Sequence, residues 1–411
     1  MSSIGEALTS QKKAGTVEKL RDGLAQFHGF CNVGFAWGGG RALVVDTSNV
    51  LLGKRAAEGL ASATDEPLSC IVYTHGHVDH VGGAPSFLAS AEARGHERPT
   101  IWAHEKVRER MDRYRLTWGW NNEVNRRQFQ LPPGVDAFPK NFVEADETYS
   151  ETAEVDLSGE RVVLHHARAE TDDATWVWLP ERSVAMVGDL SVASLPNSGN
   201  PNKPQRFTLG WAETLEVIAA RKPEVVIPGH GDPIAGQDEI GERFTETARA
   251  LRFLHDAVID RMNAGQWPDE VIDAQIELPA DLATKPYLQP LYGCTPFVVR
   301  DVLRMYAGWW GGNPAELIPA KRAEVARDLV ATAGREAMID RVEKLLAERA
   351  PRRALHMVMH LVDANPSDHE AQSLVVAACE AIIEIEPSFI ARNFYETAAA
   401  RAREAADIEK K

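Results

Sequence analysis

Histidine and aspartate residues are concentrated in one short stretch of the sequence, CIVYTHGHVDHVGGAP. Its metal-competent side chains are those of His75, His77, Asp79 and His80. Imidazole and carboxylate groups are ligands that zinc and similar divalent ions prefer. Alternate residues of an extended backbone point the same way, so His75 and His77 can bind one ion. Asp79 and His80 then turn toward a second ion, and the spacing predicts part of a binuclear metal site.

The pattern H-x-H-x-D-H after an apolar strand resembles the signature of the metallo-β-lactamase superfamily of metal-dependent hydrolases. Two later segments resemble the same family in the expected order. AMVGDL is similar to the segment whose acidic residue bridges two metal ions, which implies Asp189 as the bridge. VVIPGHGDP is similar to the late strand and loop that carry the last histidine ligand, which implies His230.

One segment departs from the common family pattern. Many members have H-x-P-G-H-T before the strand that leads to the bridging residue, whereas this chain has HHARAETDDATWVWLP. Here Glu170 stands at the position of the ligand histidine, and a carboxylate there resembles the alkyl sulfatase branch. That branch also uses a glutamate as the bridge, where this chain has the shorter Asp189. The alternatives for the ligand at this position are Asp172, Asp173, His165 and His166.

Two further segments resemble alkyl sulfatases. Leu291 to Leu317, LYGCTPFVVRDVLRMYAGWWGGNPAEL, is similar to their dimerisation region and implies a homodimer. The segment NNEVNRR is similar to a stretch near their substrate pocket and implies Asn122, Arg126 and Arg127 as substrate-binding residues. The sequence shows no counterpart of the C-terminal sterol-carrier-like domain of the large alkyl sulfatases, so we expect that module to be missing.

The resemblance implies a binuclear metal-dependent hydrolase of an ester-type bond that uses a metal-activated hydroxide, with zinc as the expected ion. The first ion would be held by His75, His77 and Glu170. The second would be held by Asp79, His80 and His230, with Asp189 between the two ions. Asp79 can also orient the attacking water or carry its proton, which makes it the candidate catalytic residue. Arg206 is the further candidate for binding an anionic substrate.

Sulfate esters are the substrates that the branch favours. A carboxylic ester, lactone or thioester hydrolase on the same metal core is the alternative, because fold does not determine substrate. A di-iron redox protein ranks lower, since no glycine-rich nucleotide-binding fingerprint follows a strand. A non-catalytic dimeric scaffold is disfavoured, because every position at which the resemblance implies a metal ligand has a side chain that can bind an ion.

The elements that must position these residues change in character near residue 236. Before it, short β-branched and apolar runs alternate with helical stretches, as in layered sheets flanked by helices. After it, the pattern is helical almost throughout. With the resemblance, this predicts an α/β fold, an αββα metallo-β-lactamase sandwich over residues 1–236, followed by an all-α dimerisation-type domain over residues 237–411.

Composition limits the partners. The formal net charge of -15 argues against nucleic acid and anionic membranes, since both require a basic surface. The four cysteines show no CxxC spacing, the first residues lack the apolar core of a secretory signal, and no apolar run approaches a membrane span. We therefore expect a cytoplasmic protein that acts on a small-molecule ester.

Overall fold

The apolar runs of the first half of the chain form two β-sheets in the computed structural model, which describes residues 13–407. The first sheet has seven described strands in sequence order: β1 Val17–Arg21, β2 Leu24–Phe27, β3 Val33–Gly38, β4 Arg41–Val45, β5 Leu68–Val72, β6 Thr100–His104 and β7 Glu147–Tyr149. Strands β1 to β4 are antiparallel, and β4 to β7 are parallel.

The second sheet has six described strands: β8 Thr152–Leu157, β9 Glu160–Ala167, β10 Ala174–Leu179, β11 Val184–Gly188, β12 Val225–Pro228 and β13 Ile234–Ala235. Their spatial order is β13-β12-β11-β10-β9-β8. Only the β11–β12 pair is parallel among these described strands. Strands β9 and β11, each antiparallel to β10, therefore run in the same direction.

Helices cover the outer face of each sheet. Four helices lie on the outer side of the first sheet: α1 Gly53–Ala63, α2 Val78–Val81, α3 Ala84–Ala93 and α4 Lys106–Leu116. After α5, Trp118–Phe129, two helices pack on the second sheet: α6 Thr208–Ala220 and α7 Gln237–Asn263. A separate core made by the facing surfaces of both sheets, with Leu43 and Met186 as members, lies between them. The predicted αββα sandwich is confirmed.

The rest of the chain, as far as the structure describes it, is mainly helical, as predicted. The helices are α8 Pro268–Asp273, α9 Ala280–Ala283, α10 Thr295–Tyr306, α11 Arg322–Ala333, α12 Arg335–Ala347, α13 Pro351–Ala364, α14 His369–Ile385 and α15 Phe389–Ala405. Short 3₁₀ turns lie at Pro180–Arg182, Pro286–Leu288 and Pro314–Glu316. Asp368 caps α14 by accepting a hydrogen bond from Ala371 N at 3.1 Å. No helix of the described residues is long and apolar enough to cross a membrane.

The contacts divide the chain into two units. The first contains the chain up to Asn122 together with Asp136–Gly265 and Ala274–Tyr306. The second contains Glu123–Val135, Gln266–Asp273 and the chain from Ala307 onward. The long helix α7 and the helix α10 thus belong to the sandwich unit, although both follow the boundary that the sequence predicts after residue 236.

Candidate metal centre

Four loops place the predicted ligands at the carboxyl ends of strands in the sandwich unit. The loop and helix α2 after β5 carry the histidine-rich motif, and the β9–β10 loop carries Glu170. Asp189 directly follows β11, and His230 follows β12 by two residues. Because β5, β9, β11 and β12 end at one rim, residues far apart in the sequence meet there.

The first group of ligand atoms comes from His75, His77, Glu170 and Asp189. One ligand atom from each lies within 4.8 Å of the others. His75 Nε2 and His77 Nδ1 are 2.7 Å apart, and Asp189 Oδ2 is 3.8 Å from His75 Nε2. This group therefore offers two imidazoles and two carboxylates to one position.

The second group comes from Asp79, His80 and His230, whose ligand atoms also lie within 4.8 Å of one another. Asp79 Oδ2 is 3.7 Å from the Nε2 atom of each histidine. Asp189 Oδ1 is 3.2 Å from His80 Nε2 and 3.3 Å from His230 Nε2. The two oxygens of Asp189 thus face different groups, which is the arrangement of a bridging carboxylate.

The histidines of the second group are oriented through their other ring nitrogen. His80 Nδ1 donates to Asp46 Oδ2 at 2.7 Å, and His230 Nδ1 donates to the carbonyl of Phe30. Such partners direct Nε2 toward an ion and increase the basicity of the ring. Gly229 also permits the approach of β12, since a Cβ atom there would collide with Asp189 Oδ1.

The side chains at this rim fit divalent ions. His80 Nε2 and Asp189 Oδ1 are buried and have no hydrogen-bond partner among the described residues. Leaving buried polar atoms unpaired costs free energy, and these two atoms converge within 3.2 Å. Imidazole nitrogen and carboxylate oxygen are donors that suit zinc.

Electrostatics separate the two groups. Burial and, after it, the charge of His80 lower the pKa of His75 to about 3, so His75 is neutral and can donate a lone pair. Burial alone would lower the pKa of His80, but Cys31 and Asp189 raise it well above its ordinary value. Asp189 raises the pKa of His230 in the same way. The second group therefore has a negative potential that favours a bound cation.

Glu170, rather than its alternatives, stands beside the first pair of histidines. Asp172 accepts a hydrogen bond from Arg110 at 2.5 Å, and Asp173 accepts one from Arg110 Nε at 2.7 Å. Asp173 also accepts a hydrogen bond from the backbone N–H of Gly76 at 3.1 Å, so it stabilises the backbone of the histidine-rich motif.

The two alternative histidines also have other contacts. His166 Nε2 lies 3.0 Å from the carbonyl of Asp172, and its ring stacks on His104. His165 stacks on Trp176.

Arg206 is the predicted substrate-binding residue that lies closest to these ligands. It is buried and forms an ion pair with Glu170, and its Nη1 donates to the carbonyl of Glu170 at 3.2 Å. Burial lowers its pKa to about 10. Asn197 Nδ2 donates to Glu170 Oε1 at 2.7 Å, so the carboxylate is held by two partners.

The other predicted substrate-binding residues have structural contacts. Asn122 donates to the carbonyl of Trp118 and accepts from the N–H of Phe138, which uses both ends of its amide. Arg126 and Arg127, in the second unit, both form ion pairs with Glu123. Their role in substrate binding remains a prediction.

A cavity of about 240 Å³ adjoins the first group within the sandwich unit. The residues that line it include His77, Glu170, Arg206 and Lys203. Burial lowers the pKa of Lys203 to about 8, and Asp79 opposes that shift. Sequence reasoning did not identify Lys203, since a single lysine in an irregular loop carries no spacing signal.

The supporting roles of two carboxylates and one arginine were also missed. Asp46 directly follows β4, the parallel neighbour of β5, so an acidic residue after an apolar strand was an available signal. Asp173 was considered only as a ligand. Arg110 lies inside α4 among other charged residues, and nothing in its spacing indicates a buried role.

Comparisons with known proteins find two matching families and several relatives. Residues 27–230 match the family described as metallo-beta-lactamase superfamily, and residues 268–405 match alkyl sulfatase dimerisation. A linear primary-alkylsulfatase of Pseudomonas sp. (strain ATCC 19151) is 27% identical over 71% of this chain and 58% of its own length. An (R)-specific secondary-alkylsulfatase of Pseudomonas sp. is 24% identical over 88% of this chain and 58% of its own length.

A solved structure has the same fold. The stereoselective inverting sec-alkylsulfatase Pisa1 from Pseudomonas sp. superposes with a TM-score of 0.80 and 23% identity, covering 94% of this chain and 65% of that one. The chain thus spans about three fifths of the length of the curated relatives that it matches.

Proposed function

We infer that this chain, which combines a metallo-β-lactamase superfamily domain with an alkyl sulfatase dimerisation domain, hydrolyses sulfate esters at a binuclear metal centre. The observation that carries this inference is Asp189, whose two oxygens face two separate groups of ligands. The similarity to alkylsulfatases favours sulfate esters over other esters.

The residues that would hold the ions are those predicted from the sequence. His75, His77 and Glu170 would hold the first, and Asp79, His80 and His230 the second, with Asp189 shared. Bound zinc ions would supply Lewis acidity and lower the pKa of water toward neutrality.

Side chains of the protein would orient the substrate and move the proton. Asp79 Oδ2 is 3.7 Å from His230 Nε2, and this carboxylate can accept the proton of the attacking water. Arg206 and Lys203 provide positive charge for the sulfate group in the adjoining cavity.

The assembly and the location of the protein are further parts of this proposal. The dimerisation domain supports a homodimer, in which a second copy of this chain is the partner. The cytoplasmic location remains a prediction that rests on the scattered cysteines.

Metal analysis together with a substrate panel tests this function. Purified protein loaded with zinc should hold two ions per chain and release sulfate from an alkyl sulfate. The matched control is His356→Ala, at an exposed histidine of α13, which should keep both properties. Turnover of lactones or carboxylic esters without sulfate release would replace the proposed substrate class. Iron with visible absorbance in the purified protein before zinc is added would indicate redox chemistry instead.

A further inference from the structure

We propose that the cavity beside the metal centre selects small sulfate esters that carry a second anionic group, and that Arg113 binds this group. The inference rests on the proposed function, because it names the substrates of the same site.

The size of the cavity restricts the substrate. Its volume is about 240 Å³, whereas pockets for drug-sized ligands are roughly 300 to 1,000 Å³. The sulfate group occupies part of this space beside His77 and Glu170. A few carbon atoms can occupy the remainder, so a long alkyl chain would have to extend beyond the cavity.

The charge of the cavity walls is opposite to that of the whole protein. Among the described residues, four basic side chains line it, those of Arg110, Arg113, Lys203 and Arg206, and one carboxylate does, that of Glu170. The chain as a whole has a formal net charge of -15. A positive cleft in an acidic protein attracts anions locally.

Arg113 differs from the other two arginines in its partners. Arg110 is neutralised by Asp172 and Asp173, and Arg206 is paired with Glu170. Arg113 forms no ion pair with a carboxylate of the described residues, and its Nη2 atom is buried without a hydrogen-bond partner.

Arg113 has a different role from Lys203 and Arg206, because it lines another part of the cavity. Arg206 contacts Glu170, and the charge of Lys203 interacts with Asp79, so both act close to the candidate ligands. Arg113 belongs to α4, which contributes another part of the lining together with Tyr114.

The guanidinium of Arg113 lies over the ring of Tyr114, 5.8 Å from its centroid, and a neutral alkyl chain in this part of the cavity would leave its Nη2 atom without a hydrogen-bond partner. A carboxylate or second sulfate group would accept its hydrogen bonds, and such charge-assisted bonds are stronger than neutral ones. The polar side chains of Thr117 and Asn121 also line the cavity and suit a polar substituent better than an alkyl chain.

The test compares three sulfate esters on the zinc-loaded protein: 4-(sulfooxy)butanoate, butyl sulfate and dodecyl sulfate. We expect kcat/KM for the carboxylate ester to exceed that for butyl sulfate by about tenfold or more. Dodecyl sulfate should be the poorest substrate.

Variants assign the effect to one side chain. Arg113→Gln should reduce the preference for the carboxylate ester to near unity and leave kcat/KM for butyl sulfate within about twofold. Arg108→Gln on the same helix, at a side chain that is 72% exposed, should leave the preference unchanged.

Binding of sulfonates that cannot be hydrolysed separates recognition from turnover. By calorimetry, 4-sulfobutanoate should bind about tenfold more tightly than butane-1-sulfonate, and Arg113→Gln should remove the difference. A preference for dodecyl sulfate, or a carboxylate preference that survives in Arg113→Gln, would overturn the inference and leave the proposed function standing. If none of the three esters released sulfate, the proposed function and the inference would both be wrong.

Discussion

The two groups of candidate ligands differ in how the protein holds them. In the second group, His80 and His230 each donate Nδ1–H to an oxygen, from Asp46 and from the Phe30 carbonyl. In the first group, the main external partner is a cation, because Arg206 pairs with Glu170. A nearby carboxylate makes an imidazole a stronger donor, whereas a guanidinium withdraws charge from the carboxylate that it contacts. We therefore expect the second group to bind its ion more tightly.

Removal of the shared carboxylate should have the largest effect, because both groups depend on it. Asp189→Ala should lose both ions and lower kcat/KM by more than about 100-fold. Metal content by plasma emission spectroscopy and sulfate release would measure this, with His356→Ala as the control. Retention of two ions at full activity would show that Asp189 is not a bridge.

A change at Asp46 should affect the second group alone. Asp46→Asn keeps the shape but removes the charge that orients His80, so affinity for the second ion should fall by about 10- to 100-fold. Zinc titration with a competing chromophoric chelator would resolve the two affinities. Equal weakening of both ions would contradict the separate support of the two groups.

Chelation of the protein without substitutions should show the difference in metal affinity between the two groups. The ion at His75, His77 and Glu170 should leave at about tenfold lower chelator concentration than its neighbour, since Arg206 offsets the charge of Glu170. Cobalt substitution makes the two steps visible by absorbance. Release of both ions in one step would remove the proposed difference.

Replacement of Arg206 should leave the buried carboxylate of Glu170 unpaired and so destabilise the protein. Arg206→Met leaves Glu170 without its cation, and breaking a buried ion pair typically costs about 3 to 5 kcal/mol. Zinc would then replace the missing charge, so the rise in melting temperature on zinc loading should be larger in the variant than in the parent protein. An unchanged or smaller rise, measured by calorimetry, would mean that Glu170 does not face an ion.

The smallest effect is expected from a residue that acts through Arg206. Asp301, on α10, is buried and accepts hydrogen bonds from Gln205 Nε2 and Arg206 N, each at 2.8 Å. Asp301→Asn should raise KM for a sulfate ester about two- to tenfold, since a hydrogen bond contributes about 1 kcal/mol. Ion content and kcat should stay unchanged, and a loss of zinc would assign Asp301 to metal binding instead.

Much of the fold and the type of site could be predicted from the sequence. Alternation of apolar strands and helices indicated the layers, and the motif from His75 to His80 is contiguous, so its chemistry is visible without coordinates. Asp46 was missed because it follows β4 whereas its partner, His80, lies after β5, so the sequence alone does not show that the two side chains meet. Arg113 and Lys203 were missed because their meaning depends on which carboxylates reach them.

One prediction shows how a local pattern has two readings. The segment NNEVNRR, Asn121 to Arg127, predicts substrate contacts by resemblance, yet its spacing also places Arg126 and Arg127 three and four residues after Glu123. On a helix such pairs are neighbours, and the structure contains both ion pairs. A contact within one helix turn therefore competes with any ligand for these two arginines.

The sequence by itself determined the kinds of candidate ligand, their order along the chain and the ends of the strands that carry them, because these properties are local. Only the tertiary structure decided which acidic side chain stands beside His75 and His77. Arg110, from a helix distant in sequence, engages Asp172 and Asp173, and Glu170 remains facing the histidines. That selection is made by charge pairing between separate elements, which no single segment encodes.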